Sequence, residues 1–175
     1  SPTLGSTIDC SATGSDPDDE TPSISYDWYL GSVSGQPVHS GASLELLAIG
    51  SPVQGQVLAS VGDDIFCVAT ASDASGATDS AQSTVTIVNS TPVVTGVTVT
   101  PNPAFNDSQL SCSVTASDSD AQSLTTTYSW SKGSVILANT PALTLDSSMV
   151  GVDDVLRCTA TVTDTHGASA TDFVE

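Results

Sequence analysis

Apolar and polar residues alternate along several short stretches of the chain, which is the pattern of β-strands with one buried face. Between these stretches lie clusters of Gly, Pro, Ser, Asn and Asp, the residues that favour turns. The alternation predicts strands at 8–12 and 110–116, 26–30 and 128–130, 44–46 and 143–145, 65–71 and 156–160, and 84–88. The sequence therefore predicts an all-β fold.

The strand pattern occurs twice along the chain. Cys10 and Trp28 recur as Cys112 and Trp130, each 102 residues further on, and a second cysteine follows the tryptophan in each copy. A repeat of this length is typical of consecutive small domains. The 175 residues therefore predict two tandem domains, each large enough to bury a modest core.

The two copies differ at their ends. We place the domains at 1–90 and 91–175. The second copy opens with a predicted strand at 93–100 that has no counterpart in the first copy. The first domain is therefore expected to lack its first strand and to expose an unpaired sheet edge, which favours a partner strand. The last strand of the second domain is expected to be truncated, so the chain is predicted to be part of a longer array.

The four cysteines occupy matching positions in the two copies. Only the pairs Cys10–Cys67 and Cys112–Cys158 respect the repeat, although other pairings are possible. A zinc site is the alternative, but the chain has no C-x-x-C motif and only two scattered histidines. Two intradomain disulfides indicate an oxidising compartment, and we expect an extracellular or cell-surface location.

Acidic residues far outnumber basic ones. Twenty Asp and Glu stand against two Lys and Arg, which gives a formal net charge of −18. This charge argues against nucleic acid as a partner, because that affinity depends on basic side chains at the phosphates. It also argues against docking to anionic membranes. No apolar run is long enough for direct membrane insertion.

The order Cys, Trp, Cys resembles the immunoglobulin-like fold superfamily. More closely, the acidic segment at 12–20 that leads to Tyr26-Asp27-Trp28 is similar to Ig-like and PKD-like repeats of bacterial and archaeal cell-surface proteins. The segment 67–76 resembles the end of the same repeats. The W-x-F-G-D-G continuation of PKD modules is absent after both tryptophans.

This resemblance implies two tandem Ig-like antiparallel β-sandwich domains, each with one intradomain disulfide. It also implies that Trp28 and Trp130 are core residues packed on the disulfides, not platforms for sugar rings.

Carboxylates from two turns are expected to converge at one end of each domain. Such groups repel one another unless a cation bridges them, and Ca²⁺ accepts roughly six to eight oxygen ligands. The candidate ligands are Asp16, Asp18, Asp19 and Asp73 in the first copy and Asp118, Asp120 and Asp164 in the second. The alternative is that these short side chains cap tight turns by bonding to nearby backbone. The scaffold requires no cofactor, and Ca²⁺ is the candidate ion.

The doubled scaffold predicts a non-catalytic structural unit of an extracellular filament, stalk or adhesin. It would form a rigid, extended part of the structure and assemble by strand complementation. Its partners would be neighbouring Ig-like repeats or identical subunits. No catalytic signature is present, so we expect no enzyme activity. The alternatives are a calcium-dependent adhesion or carbohydrate-binding module, which would use the loop at 31–41 or the acidic loops, and a spacer domain of a secreted hydrolase.

Overall fold

The computed structural model describes residues 1–17, 21–48 and 57–175. These residues form β-strands joined by turns and contain no helix, so the all-β prediction is confirmed. In this part of the chain there is accordingly no helix with the length and apolar character needed to cross a membrane.

The described residues divide into two compact units. The first unit comprises residues 1–90 together with 119–121, and the second comprises 91–118 and 122–175. The chain thus divides after Ser90, and the assignment of two domains at 1–90 and 91–175 stays a prediction.

The first unit contains two sheets. Its strands are β1 (Thr7–Asp9), β2 (Ser23–Leu30), β3 (His39–Ser40), β4 (Ser43–Ala48), β5 (Val57–Ala59), β6 (Asp64–Ser72) and β7 (Thr78–Thr86). One sheet has the order β3-β2-β6-β7 and is antiparallel throughout. The other has the order β1-β4-β5, in which β1 and β4 are antiparallel and β4 and β5 are parallel.

The second unit also contains one four-stranded and one three-stranded sheet. Its strands are β8 (Val93–Thr100), β9 (Gln109–Ser117), β10 (Thr125–Lys132), β11 (Val135–Ala138), β12 (Ala142–Thr144), β13 (Arg157–Thr163) and β14 (Ser169–Val174). The two sheets have the orders β11-β10-β13-β14 and β12-β9-β8, and every pair is antiparallel.

A disulfide joins the two sheets of each unit. Cys10, directly after β1, is bonded to Cys67 in β6, and Cys112 in β9 is bonded to Cys158 in β13. The Cα–Cα distances are 6.4 and 6.5 Å. These are the pairs that the repeat predicted, and such bonds are typical of an oxidising compartment.

Each unit has its own apolar core, to which both of its sheets contribute. In the first core Trp28 of β2 and Ile65 of β6 pack with Leu44 and Leu46 of β4. The second core contains residues at corresponding places, including Trp130, Leu110, Leu143 and Cys158. Few aromatics are present, so aliphatic side chains fill most of both cores.

One repeated strand differs in length between the units. The alternation predicts a strand at 8–12, but β1 ends at Asp9, whereas β9 extends over nine residues from Gln109 to Ser117. The cause is pairing: β9 has β8 along its second edge, while no strand of the described residues pairs with the second edge of β1. The prediction for 10–12 is therefore wrong, because alternation alone does not supply a hydrogen-bonding partner.

The last strands also differ from expectation. β7 begins at Thr78, six residues before the predicted start at 84, because its residues pair with β6 along the whole length of that strand. In the second unit β14 has six residues where β7 has nine, and it pairs with β13 as far as Val174 opposite Cys158.

Candidate functional site

A groove runs beside β1 in the first unit. It lies between residues 8–15 on one side and β7 on the other, and we call it the β1 groove. Its first part is a cavity of about 230 Å³, lined by Ile8 and Cys10 from the β1 side and Val85 from β7, with Trp28 at its base. A second cavity of about 280 Å³ continues along the same two segments.

The floor of the β1 groove is apolar and partly open to solvent. Ile8 and Cys10 are only partly buried, whereas the equivalent Leu110 and Cys112 of the second unit are 2 and 3 % exposed. Val85 on the β7 side is 37 % exposed. Apolar side chains at equivalent positions are thus buried in the second unit and only partly buried in the first.

In the second unit, β8 occupies the place that corresponds to the β1 groove. It pairs antiparallel with β9, with Val99 opposite Cys112 and Val97 opposite Val114. Both valines also pack against the second core. On its other side β8 lies next to β14. The repeat therefore shows within one chain how a strand covers this edge.

The missing strand could be read from the sequence, but the groove could not. The absence of a counterpart to β8 predicted an unpaired edge in the first unit. That the edge opens onto Trp28, Ile65 and the disulfide depends on the packing of two sheets, which leaves no local signal in the chain.

The tryptophans are core residues in both units. Trp28 is 3 % exposed and Trp130 is 1 % exposed. The indole N–H of Trp28 donates a hydrogen bond to the Gly41 carbonyl at 2.8 Å, and that of Trp130 donates to the Thr140 carbonyl at 3.0 Å. Satisfying the indole N–H allows the whole ring to be buried, so neither ring is a flat sugar-binding surface.

Asp73 and Asp164 cap equivalent turns. Asp73 Oδ1 accepts hydrogen bonds from the Ser75 hydroxyl and the Ala77 amide, both at 2.8 Å. Asp164 Oδ1 accepts from the amides of His166 and Ala168 at 2.8 and 2.9 Å. These bonds are those of the turn-capping alternative, in which the carboxylate satisfies backbone donors.

The Asp73 cap makes stability depend on pH in the acid range. Its pKa is lowered below the ordinary 3.8, first by the Ser75 hydroxyl and then by the Ala77 amide. A carboxyl with a lower pKa in the folded state stabilises the fold above its unfolded pKa, and this contribution is lost as pH falls through the folded pKa. We therefore expect Asp73→Asn to flatten the decline of the unfolding free energy below about pH 4.

Urea unfolding at a series of acid pH values measures this effect. Asp79→Asn is the matched control, because it removes a carboxylate from the neighbouring β7 without touching the turn. Superimposable acid profiles for the wild type and Asp73→Asn would contradict the assigned role of the cap.

The other predicted ligands that lie within the described residues are not part of a metal-binding group. Asp18 and Asp19 lie outside the described residues. Asp120 Oδ2 accepts hydrogen bonds from the Ser90 amide at 2.7 Å and the Ser90 hydroxyl at 2.9 Å. Within the ranges that the structure describes, no three His, Cys, Asp or Glu residues form a group that could hold a metal ion, and this includes Asp16 and Asp118. Calcium binding stays a prediction.

Two further aspartates close a repeated turn before the cysteine strand. Asp63 Oδ2 accepts from the Ser60 amide at 2.8 Å, and Asp154 Oδ2 accepts from the Gly151 amide at 2.7 Å. The Lys132 ammonium adds an ion pair to Asp154 at 3.1 Å. These carboxylates orient the backbone as it enters β6 and β13, which is a structural role.

The loop at 31–41 contains an edge strand. Its last part forms β3, in which His39 pairs with Trp28 of β2, and the second unit has β11 at the corresponding place beside β10. The preceding residues include Val33 and Val38, which are 41 and 42 % exposed. The loop at 31–41 is thus a surface connection that ends in an edge strand.

No protein-family model matches the chain, and no curated protein matches it. Function is therefore inferred from the residues and from the geometry of the two units.

Proposed function

We propose that the chain is a structural unit of an extracellular filament, stalk or adhesin, built from tandem immunoglobulin-like β-sandwich repeats. The observation that carries this proposal is the doubled scaffold: in each unit one disulfide joins two sheets beside a buried tryptophan. A buried Trp next to an inter-sheet disulfide is characteristic of immunoglobulin-like domains.

The strand orders support the immunoglobulin-like assignment. In the second unit β8, β9 and β12 correspond to strands A, B and E of one sheet, and β10, β13 and β14 correspond to C, F and G of the other. The first unit has the same C, F and G strands in β2, β6 and β7. The two sheets of such a domain pack face to face and share the core between them.

Repeated side chains serve the scaffold rather than a reaction. Asp73 and Asp164 cap turns, and Asp63 and Asp154 hold the turns before the cysteine strands. The features that recur between the units are the disulfide, the tryptophan and these turns. A long, stiff structural protein needs these features in every repeat, whereas an enzyme needs its catalytic site only once.

The small number of basic residues and their ion pairs favour resistance to proteases outside the cell. Lys132 and Arg157 are the two basic residues in the sequence, so trypsin-like proteases have two cleavage positions. Lys132 is paired with Asp154, and the Arg157 guanidinium pairs with Glu175 and lies 4.1 Å from the centre of the Phe173 ring. Both residues also lie within strands, where the backbone is held in a sheet.

Immunogold electron microscopy of intact source cells tests the proposal. Antibodies raised against this chain are expected to label thin filaments or stalks on the cell surface. The same antibodies absorbed with purified chain are the control, and they should leave the surface unlabelled. Label confined to the cytoplasm would contradict an extracellular structural function.

A further inference from the structure

We infer that the open edge of β11 binds the same edge of a second copy of this chain, as an antiparallel pair of strands related by a two-fold axis. The contact would continue the sheet β11-β10-β13-β14 into the corresponding sheet of the other molecule. This goes beyond the proposed function, because it assigns a surface by which two copies associate.

β11 is an edge strand formed entirely by internal residues of the second unit. One side of Val135–Ala138 pairs with β10. No strand of the described ranges pairs with the other side. The strands before and after it in the chain, β10 and β12, already have their places in the two sheets of the unit. The backbone groups on the open side of β11 are therefore directed toward a possible partner strand.

The first half of β11 carries exposed apolar side chains. Leu137 and Ala138 pack against the second core and hold the strand in place. Val135 and Ile136, by contrast, are 58 and 64 % exposed. Natural edge strands are commonly protected by a charged residue or a proline. β11 consists of Val, Ile, Leu and Ala and contains neither, so its composition favours pairing.

The charge around β11 favours a second copy as the partner. Residues 121–145, which include β10, β11 and β12, contain no acidic residue, and Lys132 is their only charged side chain. Lys132 is itself paired with Asp154. Two copies with a net charge of −18 repel each other least where such uncharged segments meet. A basic partner would instead be attracted to the acidic surfaces elsewhere on the chain.

The side chains fit a two-fold arrangement centred on Ile136. Ile136 lies opposite Ser131 of β10, so it shares the face of the sheet that is turned away from Trp130 and the core. Residues directly opposite each other in an antiparallel pair point to the same face. With Ile136 of the two copies opposite each other, Val135 of each copy lies opposite Leu137 of the other. Both sheets then keep their outer faces on the same side.

The short length of the edge makes the association weak. Pairing of a four-residue strand covers less surface than the about 1,200–2,000 Å² of stable interfaces. We therefore expect a monomer at low concentration and measurable pairing between about 20 µM and 1 mM. Such a contact becomes stronger when several copies act together, as they would between neighbouring filaments of the proposed function.

Amide chemical shifts of the full ¹⁵N-labelled chain, recorded over this concentration range, test the inference. The expected result is concentration-dependent shifts at 134–138, with a matching rise in the average mass measured by sedimentation equilibrium. Raising the salt from about 0.15 M to about 1 M should strengthen the pairing, because the screening length falls from about 8 to about 3 Å and the repulsion between two acidic chains weakens.

Substitutions at the two-fold axis test the register. Ile136→Lys is expected to weaken the pairing by more than about tenfold, because the apolar contact is lost and two ammonium groups lie opposite each other. Val33→Lys is the matched control: it makes the same charge change at an exposed valine of the first unit, and it should pair at least as well as the wild type. Ile136→Thr keeps a β-branched side chain and should fall between the wild type and Ile136→Lys. It decides the question if Ile136→Lys does not fold.

Several results would overturn the inference. These are unchanged shifts at 134–138 over the whole concentration range, equal association of Ile136→Lys and the wild type, and weaker association at high salt, which would indicate ion pairs. Shifts confined to 8–15 would place the association at the β1 groove instead. A monomeric chain leaves the immunogold result intact, whereas a cytoplasmic label together with measured pairing of β11 would refute the proposed function alone.

Discussion

Replacing Cys112 and Cys158 with alanine is expected to lower the unfolding free energy of the second unit by about 4 kcal/mol. The bond closes a loop with a sequence separation of 46 residues, and cutting it lets the unfolded chain explore many more conformations. For a unit of this size, such a loss corresponds to a fall in the melting temperature of more than about 15 °C. This is one of the two largest effects that we expect from a local change in the protein.

Native-state hydrogen exchange measures this loss separately in the two units. Amides of β10 and β13 report the second unit, and amides of β2 and β6 report the first. The matched variant Cys10→Ala with Cys67→Ala should reverse the pattern, with a similar loss because its loop separation is 57 residues. A loss below about 1 kcal/mol in the affected unit would show that the disulfide is not a main source of stability.

Trp130→Ala is expected to lower the unfolding free energy of the second unit by about 3–5 kcal/mol. Trp130 is 1 % exposed and packs with Leu110, Leu143 and Cys158, so its removal leaves a large apolar cavity. The main chain of Thr140 also loses the hydrogen bond from the indole. The core surrounds the ring on several sides, which limits how far it can collapse into the space.

Guanidinium unfolding followed by circular dichroism, with the same exchange measurement, tests this prediction. Trp130→Phe is the control, because it fills much of the space but lacks the indole N–H, and we expect it to cost less than Trp130→Ala. The fluorescence of Trp28 should be unchanged by either substitution, since it reports the core of the first unit. A loss as large in Trp130→Phe as in Trp130→Ala would shift the main contribution from packing to the hydrogen bond.

The doubled cysteine and tryptophan pattern predicted much of the fold correctly. Strands near Cys67 and Cys158 followed from period-two alternation, which depends only on the geometry of an extended chain. The two disulfides followed from the repeat, because equivalent cysteines in duplicated domains meet equivalent partners. These features are encoded locally or by repetition, and both can be read from one sequence.

The roles of the acidic residues could be predicted only as alternatives. An aspartate in a turn suits both a cation and a backbone cap, because the same carboxylate oxygen accepts either. The structure places the amides of Ala77 and Ala168 within 3 Å of Asp73 and Asp164. Those distances depend on how each turn folds back, which the order of residues does not specify.

The sequence by itself determined the repeat and the all-β class and favoured the cysteine pairs that the structure contains, since these depend on periodicity and on duplicated positions. The tertiary structure decided where strands persist and what the open edge exposes. Residues 8–12 and 110–114 have similar alternation, yet only the second segment is a strand along its whole length, because β8 pairs with it. A β-strand requires hydrogen-bonding partners that are distant in sequence, so its extent is a property of the sheet and not of the segment.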